Sequence, residues 1–280
     1  KITRRTIWAD RRTPGRAVGA FALALTVILP CAAAELSCLE TEDLRLVYFA
    51  PAQGYLVPWA ARCFENSMHF QRKLFQYKPW EKVSVFLKDF GDEGNASASP
   101  IPTNFLGVEI SPISVAYETY PSNERINTLM NHELVHIAAF DKAAGSDVFF
   151  RKLFLGKVME TPVHPETILY DYLTVPRAAA PRWYHEGLAV FIETWMAGGI
   201  GRAQGSYDEM VFRSMVRDGA HFYDPLGLVS EGTKIDFQVE MNSYLYGTRF
   251  MSYVADRYSP EKLLAWVVRT DASRAYYASQ

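Results

Sequence analysis

The 280-residue chain is poor in cysteine, with only three residues and no CxxC pair, which excludes a disulfide-stapled miniprotein. It contains no phosphate-binding loop, no dinucleotide fingerprint and no internal repeat. Its formal charge of −2 is too small for the electrostatic footprint of a nucleic-acid binder. The longest apolar run, within Ala17 to Pro30, falls short of the roughly 20 residues that a bilayer span needs. Apolar residues are not scarce, however. At 49% hydrophobic and 21% charged, the chain is no disordered segment and can bury a core in one large domain or two modest ones.

The first residues read as an address. Lys1, Arg4, Arg5, Arg11, Arg12 and Arg16 stand against a single acid, Asp10, and precede the apolar run AVGAFALALTVILP. Cys31-Ala32-Ala33-Ala34 then leads to Glu35. A basic stretch, a short apolar stretch and small residues before a polar one predict a secretory signal peptide over residues 1–34, and hence a secreted or periplasmic protein of the cell envelope. The alternative is an uncleaved or lipidated N-terminus, the only route to a membrane; Pro30 before Cys31 makes a poor lipoprotein junction. Losing 1–34 removes six bases and one acid, so the formal charge falls from −2 to −7 and anionic partners become less favourable still. Cys38 and Cys63 remain, as a disulfide pair or as two isolated buried thiols. The chain starts at Lys and closes on AYYASQ, so a longer natural chain with a further C-terminal domain is expected.

Periodicity predicts strands at Leu44–Phe49, Val83–Leu87 and Phe105–Ile110, and a helix over 56–77 that Pro79 ends. Near residue 122 the pattern changes. Ser122-Asn123-Glu124 opens a helix whose apolar stripe runs through Ile126, Leu129, Met130, Leu134, Ile137 and Ala138. Further helices are expected over Val148–Met159, Arg182–Met196, Tyr207–Arg217, Asn242–Arg257 and Pro260–Arg269, with a break at Gly198–Gly205. The fold class is α+β: one domain over 35–280, with a small mixed sheet in 35–121 and a mainly helical part in 122–280.

His132-Glu133-Leu134-Val135-His136 is an HExxH sequence on the first helix of that part. Residues four apart share a helix face, so two imidazoles can grip one ion, while Glu133 stands beside them to take a proton from a bound water. A catalytic zinc takes three protein ligands and a water, so a third ligand is required. An HExxHxxGxxH extension is excluded, because Ala139 and Lys142 occupy the diagnostic positions. Asp141 is too near in sequence, and His164 lies in a proline-flanked loop. His185 and Glu186 are neighbours on the second strong helix, where adjacent residues point about 100° apart, so at most one faces the metal.

HELVH followed by a helix reading WYHEGLAVFIE resembles the gluzincin zinc metallopeptidases, in particular the compact peptidase MA-like proteins. That resemblance implies a thermolysin/aminopeptidase-like zincin domain with one Zn2+ per chain, held by His132, His136 and Glu186. It places Glu193 on the same helix face as Glu186, either orienting a histidine ligand or simply solvated. His185 is left beside the cleft. Upstream, residues 95–104 and FLGVEISP resemble the family's loop and edge strand before the metal helix. Downstream, Tyr244-Leu245-Tyr246-Gly247 resembles its Y-x-x-G segment, which makes Tyr244 the oxyanion donor and Tyr246 the fallback. Residues 91–107 lack a GxMEN-like signature, so aminopeptidase specificity does not carry over.

The expected function is therefore hydrolysis of a peptide or protein substrate, with Glu133 as the base. Two other readings stand beside it: a non-catalytic zincin-fold scaffold of an envelope protein, and a zinc hydrolase of non-peptide substrates.

Overall fold

In the computed structural model, residues 3–6, 35–112, 124–229 and 242–267 are described. Apart from 3–6, the expected leader lies outside them, as does the expected boundary near residue 121. Strand β1 (Thr3–Thr6) pairs antiparallel with β2 (Glu35–Glu40), which pairs antiparallel with β3 (Leu44–Ala50). Helix α1 (Val57–Phe75) then crosses to β4 (Val83–Lys88), parallel to β3 as such a crossover requires. After β5 (Ala96–Ser99), β6 (Phe105–Glu109) inserts parallel to β4 and antiparallel to β5. The order β1-β2-β3-β4-β6-β5 leaves β5 at the edge of the mixed sheet.

Alternation explains the sheet's buried face. Leu44 and Leu46 on β3 and Val83, Val85 and Leu87 on β4 are fully buried. They meet Ala60, Phe64 and Met68 of α1 and Met130, Leu134 and Ile137 of α2 (Arg125–Asp141). The opposite side of α2 joins a second core. There Val135, Ala138 and Ala139 pack with Leu188, Ala189 and Ile192 of α5 (Arg182–Met196). Met251 and Ala255 of α8 (Asn242–Tyr258) and Leu263 of α9 (Pro260–Val267) complete it. Between α2 and α5 run α3 (Gly145–Leu153) and α4 (Thr167–Thr174), and α6 (Ser206–Asp218) and α7 (Pro225–Val229) follow α5.

Two differences from the sequence reading have physical causes. Helix α3 starts and stops earlier than the expected Val148–Met159. The Asp147 carboxylate accepts the Ala144 N–H at 2.9 Å and fixes the start, while Leu155 and Gly156, at φ 61° and 149°, turn the chain out of the helix. Strands β1, β2 and β5 and helices α4 and α7 are not expected from the sequence, being short elements with weak patterning. Of the two alternatives for Cys38 and Cys63, the structure has the isolated thiols, both free and buried. Burial pushes the Cys63 thiol up to about 12, which leaves it inert.

The segment between α2 and α5 is tied down by a buried polar hub. Asp141 accepts from the Trp80 N–H at 2.7 Å, from Asn104 Nδ2 at 3.1 Å and from Arg151 Nη1 at 3.1 Å, and Lys157 Nζ lies 3.4 Å away. Arg151 also donates to the carbonyls of Thr174 and Phe140. One carboxylate thus joins the end of α2, the loops before β4 and β6, and both segment helices.

Asp171, on α4, is a different case. Its Oδ1 is buried without a hydrogen-bond partner, and burial, with the Glu160 charge, raises its pKa from 3.8 to about 7. The folded state therefore holds this proton more tightly than the unfolded chain. Its contribution to stability is complete below about pH 4 and is lost as pH rises to about 7. Asp171→Asn should erase that slope and be the more stable protein at pH 8, measured by urea unfolding across this range. An equal stability difference at every pH would refute the assignment.

Candidate metal centre

Helix α2 starts on Glu124, whose carboxylate accepts from the N–H groups of Ile126 and Asn127 at 3.1 and 3.0 Å. The Trp59 indole of α1 donates to the same carboxylate at 2.8 Å, so the helix start is anchored to the first core. Two turns later His132 and His136 leave the helix on one face. Their Nε2 atoms lie 3.2 Å apart, and Glu186 Oε2 of α5 lies 3.3 and 3.4 Å from them. Among the described residues this is the one group of His, Cys, Asp or Glu side chains able to converge on a cation.

The chemistry of the triangle follows from the second nitrogen of His132. Its Nδ1–H donates to Glu193 Oε2 at 2.7 Å, which turns the Nε2 lone pair towards His136 and Glu186. Three electron-rich atoms then face one another, an arrangement that needs a shared cation or proton. A tetrahedral zinc with bonds of about 2.0–2.1 Å separates its ligand atoms by about 3.3 Å, and the three observed distances bracket that value. Burial favours neutral His132, but the carboxylates of Glu193 and Glu186 outweigh it and hold the imidazole pKa well above its ordinary value. Burial likewise works against ionised Glu186, yet its contacts with both imidazoles hold it well below the usual carboxylate range.

The triangle lies in a cavity of about 620 Å3 between the β5 edge, α2, α5 and the start of α8. Glu133 lines it and is buried. Burial raises its carboxyl pKa, against the pull of the two imidazoles. Tyr244 lines it too, its ring 6.4 Å from that of His132, and its hydroxyl accepts from Arg182 Nη2 at 3.5 Å. Tyr246 turns elsewhere. Its hydroxyl accepts the Tyr223 N–H at 3.2 Å, and its ring packs on Phe212. His185 stands at the cavity wall outside the triangle, where Nε2–H donates to the Arg177 carbonyl at 3.1 Å and the ring stacks on Phe140. Burial, then the charge of His136, pushes the His185 pKa down to about 3, so it is a neutral positioning group. His164 is exposed beside Glu166, and Asp141 belongs to the hub.

Two cavity residues escaped the sequence reading, Arg182 and Arg202. Arg182 precedes Glu186 by one helical turn, a spacing that could have been noticed. Arg202 sits in the glycine-rich break after α5, where no local signal marks it.

Tyr244 reaches the cavity because α8 lies backbone against backbone on α5. A Cβ added to Gly187 would sit 2.3 Å from the Gly247 carbonyl carbon, and one added to Gly247 would sit 2.1 Å from the Trp183 oxygen. Both glycines are therefore required by close approach. Comparison with protein-family models and with curated proteins finds no match.

Gly247→Ala should lower stability by about 1–3 kcal/mol through overpacking, whereas Gly91→Ala, with open space around the added methyl, should leave it unchanged. Thermal unfolding of the two variants checks this, and equal melting temperatures would contradict the crossing.

Proposed function

We propose that the protein is a zinc-dependent peptidase of the gluzincin type, with a thermolysin-like zincin fold, acting as a secreted or periplasmic enzyme. The observation that carries this reading is the triangle of His132, His136 and Glu186 backed by Glu193, with Glu133 and Tyr244 lining the same cavity. His132, His136 and Glu186 would hold the ion. Zinc, when bound, supplies Lewis acidity that brings the pKa of a water towards about 7 and polarises a carbonyl.

The protein's own groups supply the rest. Glu133 takes the proton of the attacking water and delivers it to the leaving amine. Its burial raises its proton affinity above that of an exposed carboxylate. The Tyr244 hydroxyl donates to the developing oxyanion, a contribution of roughly 3 kcal/mol in comparable sites. Glu193 fixes the tautomer and orientation of His132. A peptide substrate, rather than another hydrolysable group, is supported by β5. It borders the cavity, and among the described residues no strand pairs with its outer edge, so an extended peptide can add there.

Protein dialysed against trace zinc should retain about one ion per chain by elemental analysis, and His132→Ala should retain none. Glu133→Gln should keep the metal yet lose peptide hydrolysis by about 10²-fold or more, scored on a fluorogenic peptide library with and without chelator. Glu193→Ala should weaken zinc affinity by about 10–100-fold. A protein that never takes up zinc, or a fully active Glu133→Gln, would end the proposal.

A further inference from the structure

Besides its histidines, the charged residues lining the cavity among the described residues are Glu133, Glu186, Glu193, Arg182 and Arg202. Each guanidinium faces a carboxylate, Arg182 that of Glu186 and Arg202 that of Asp208. The two arginines are not scattered. Both guanidinium carbons lie over the Tyr244 ring, at 5.5 Å for Arg182 and 5.1 Å for Arg202.

Arg202 is only 5% exposed, and a buried arginine at a cavity wall is costly unless it is held. It is held. Its Nε lies 3.3 Å from both carboxylate oxygens of Asp208, and the turn that carries it is bound to α5 where Ala203 N–H donates to Thr194 Oγ1 at 3.1 Å. Gly201 packs so closely on Thr194 that an added Cβ would lie 2.4 Å from that oxygen. Arg182 is the opposite kind of group, with its side chain 47% exposed. It spans from Glu186 Oε1 at 3.4 Å to the Tyr244 hydroxyl at 3.5 Å. One guanidinium is thus fixed in the wall and the other is half-exposed at the rim, both beside the group that would receive the reacting carbonyl.

We propose that Arg182 and Arg202 form a carboxylate subsite, so that the cavity selects peptides carrying a carboxylate next to the bond to be cut. The proposal rests on the peptidase reading for the bond cleaved, but not for the binding. Arg182 contacts the carboxylate through its planar fork. Arg202, held by Asp208, lies over the Tyr244 ring and keeps it in place beside the Arg182 fork. The carboxylate could be a free C-terminus or an acidic side chain.

Three fluorogenic peptides of one sequence separate these sources: a neutral amidated peptide, the same peptide with a free C-terminal carboxylate near the bond, and an amidated version with Glu in place of Gln. Hydrolysis by the zinc-loaded protein and binding to Glu133→Gln, followed by calorimetry, are measured for each. One or both carboxylate peptides should be favoured by about tenfold, mainly in KM and in binding. Arg182→Gln should remove the preference, and Arg182→Lys should restore part of it. Arg202→Gln should lower kcat as well, and should that variant not fold, the exposed Arg182 carries the test alone. Equal handling of all three peptides, or a preference that survives Arg182→Gln, overturns the subsite while leaving the peptidase reading intact. Arg182-dependent binding of a carboxylate peptide without any hydrolysis upholds the subsite and overturns the peptidase reading.

Discussion

The protein depends on keeping three electron-rich atoms, two imidazole nitrogens and a carboxylate oxygen, within 3.4 Å of one another. Such atoms repel unless something positive lies between them, so the scaffold must resist their separation. Helix α2 does so by being wedged between two apolar cores, with Leu134 and Ile137 facing the sheet and Val135, Ala138 and Ala139 facing α5. Only the narrow stripe bearing His132, Glu133 and His136 is left to the cavity. Its low amphipathic contrast follows from this: a helix buried on two sides has little polar face to show.

The polar support is arranged in the same spirit. Glu193 is seven residues from Glu186 on α5, two turns along the same face, and takes the far nitrogen of His132 while Glu186 meets the near one. The two carboxylates of one helix therefore grip opposite sides of a single imidazole. At the other end of α2, the Asp141 hub replaces apolar packing with charge pairs. Removing Asp141 would take from Arg151 its 3.1 Å ion pair and leave Lys157 with Glu81 at 3.7 Å, both cations being almost fully buried.

What could be read from the sequence divides along the line between local and tertiary causes. The histidine pair and its base follow from helical spacing alone, and the apolar stripe of α2 from periodicity. Spacing left His185 and Glu186 as competing third ligands, and only the rotation of α5 about its axis separates them: Glu186 turns into the triangle, and His185 turns to the Arg177 carbonyl. Strand β5, reading Ala-Ser-Ala-Ser, has no large residues to betray it, because an edge strand beside a cavity needs small ones. The end of α3 was missed because Leu155 adopts a positive φ that leucine does not advertise. Arg202 was illegible for a similar reason, since its place depends on Thr194 and Asp208, which lie outside its own turn.

The glycine contact between α5 and α8 has a consequence for how this chain can vary. A slip of α8 by one residue would rotate Tyr244 by about 100° and present Ser243 or Leu245 instead. That slip is blocked where Gly187 and Gly247 touch, because any other residue of α8 would drive a side chain into the α5 backbone. Register is thus set by a mutual fit of two bare backbones, not by the length of chain that joins them. A single methyl at the contact would therefore displace the hydroxyl from the cavity.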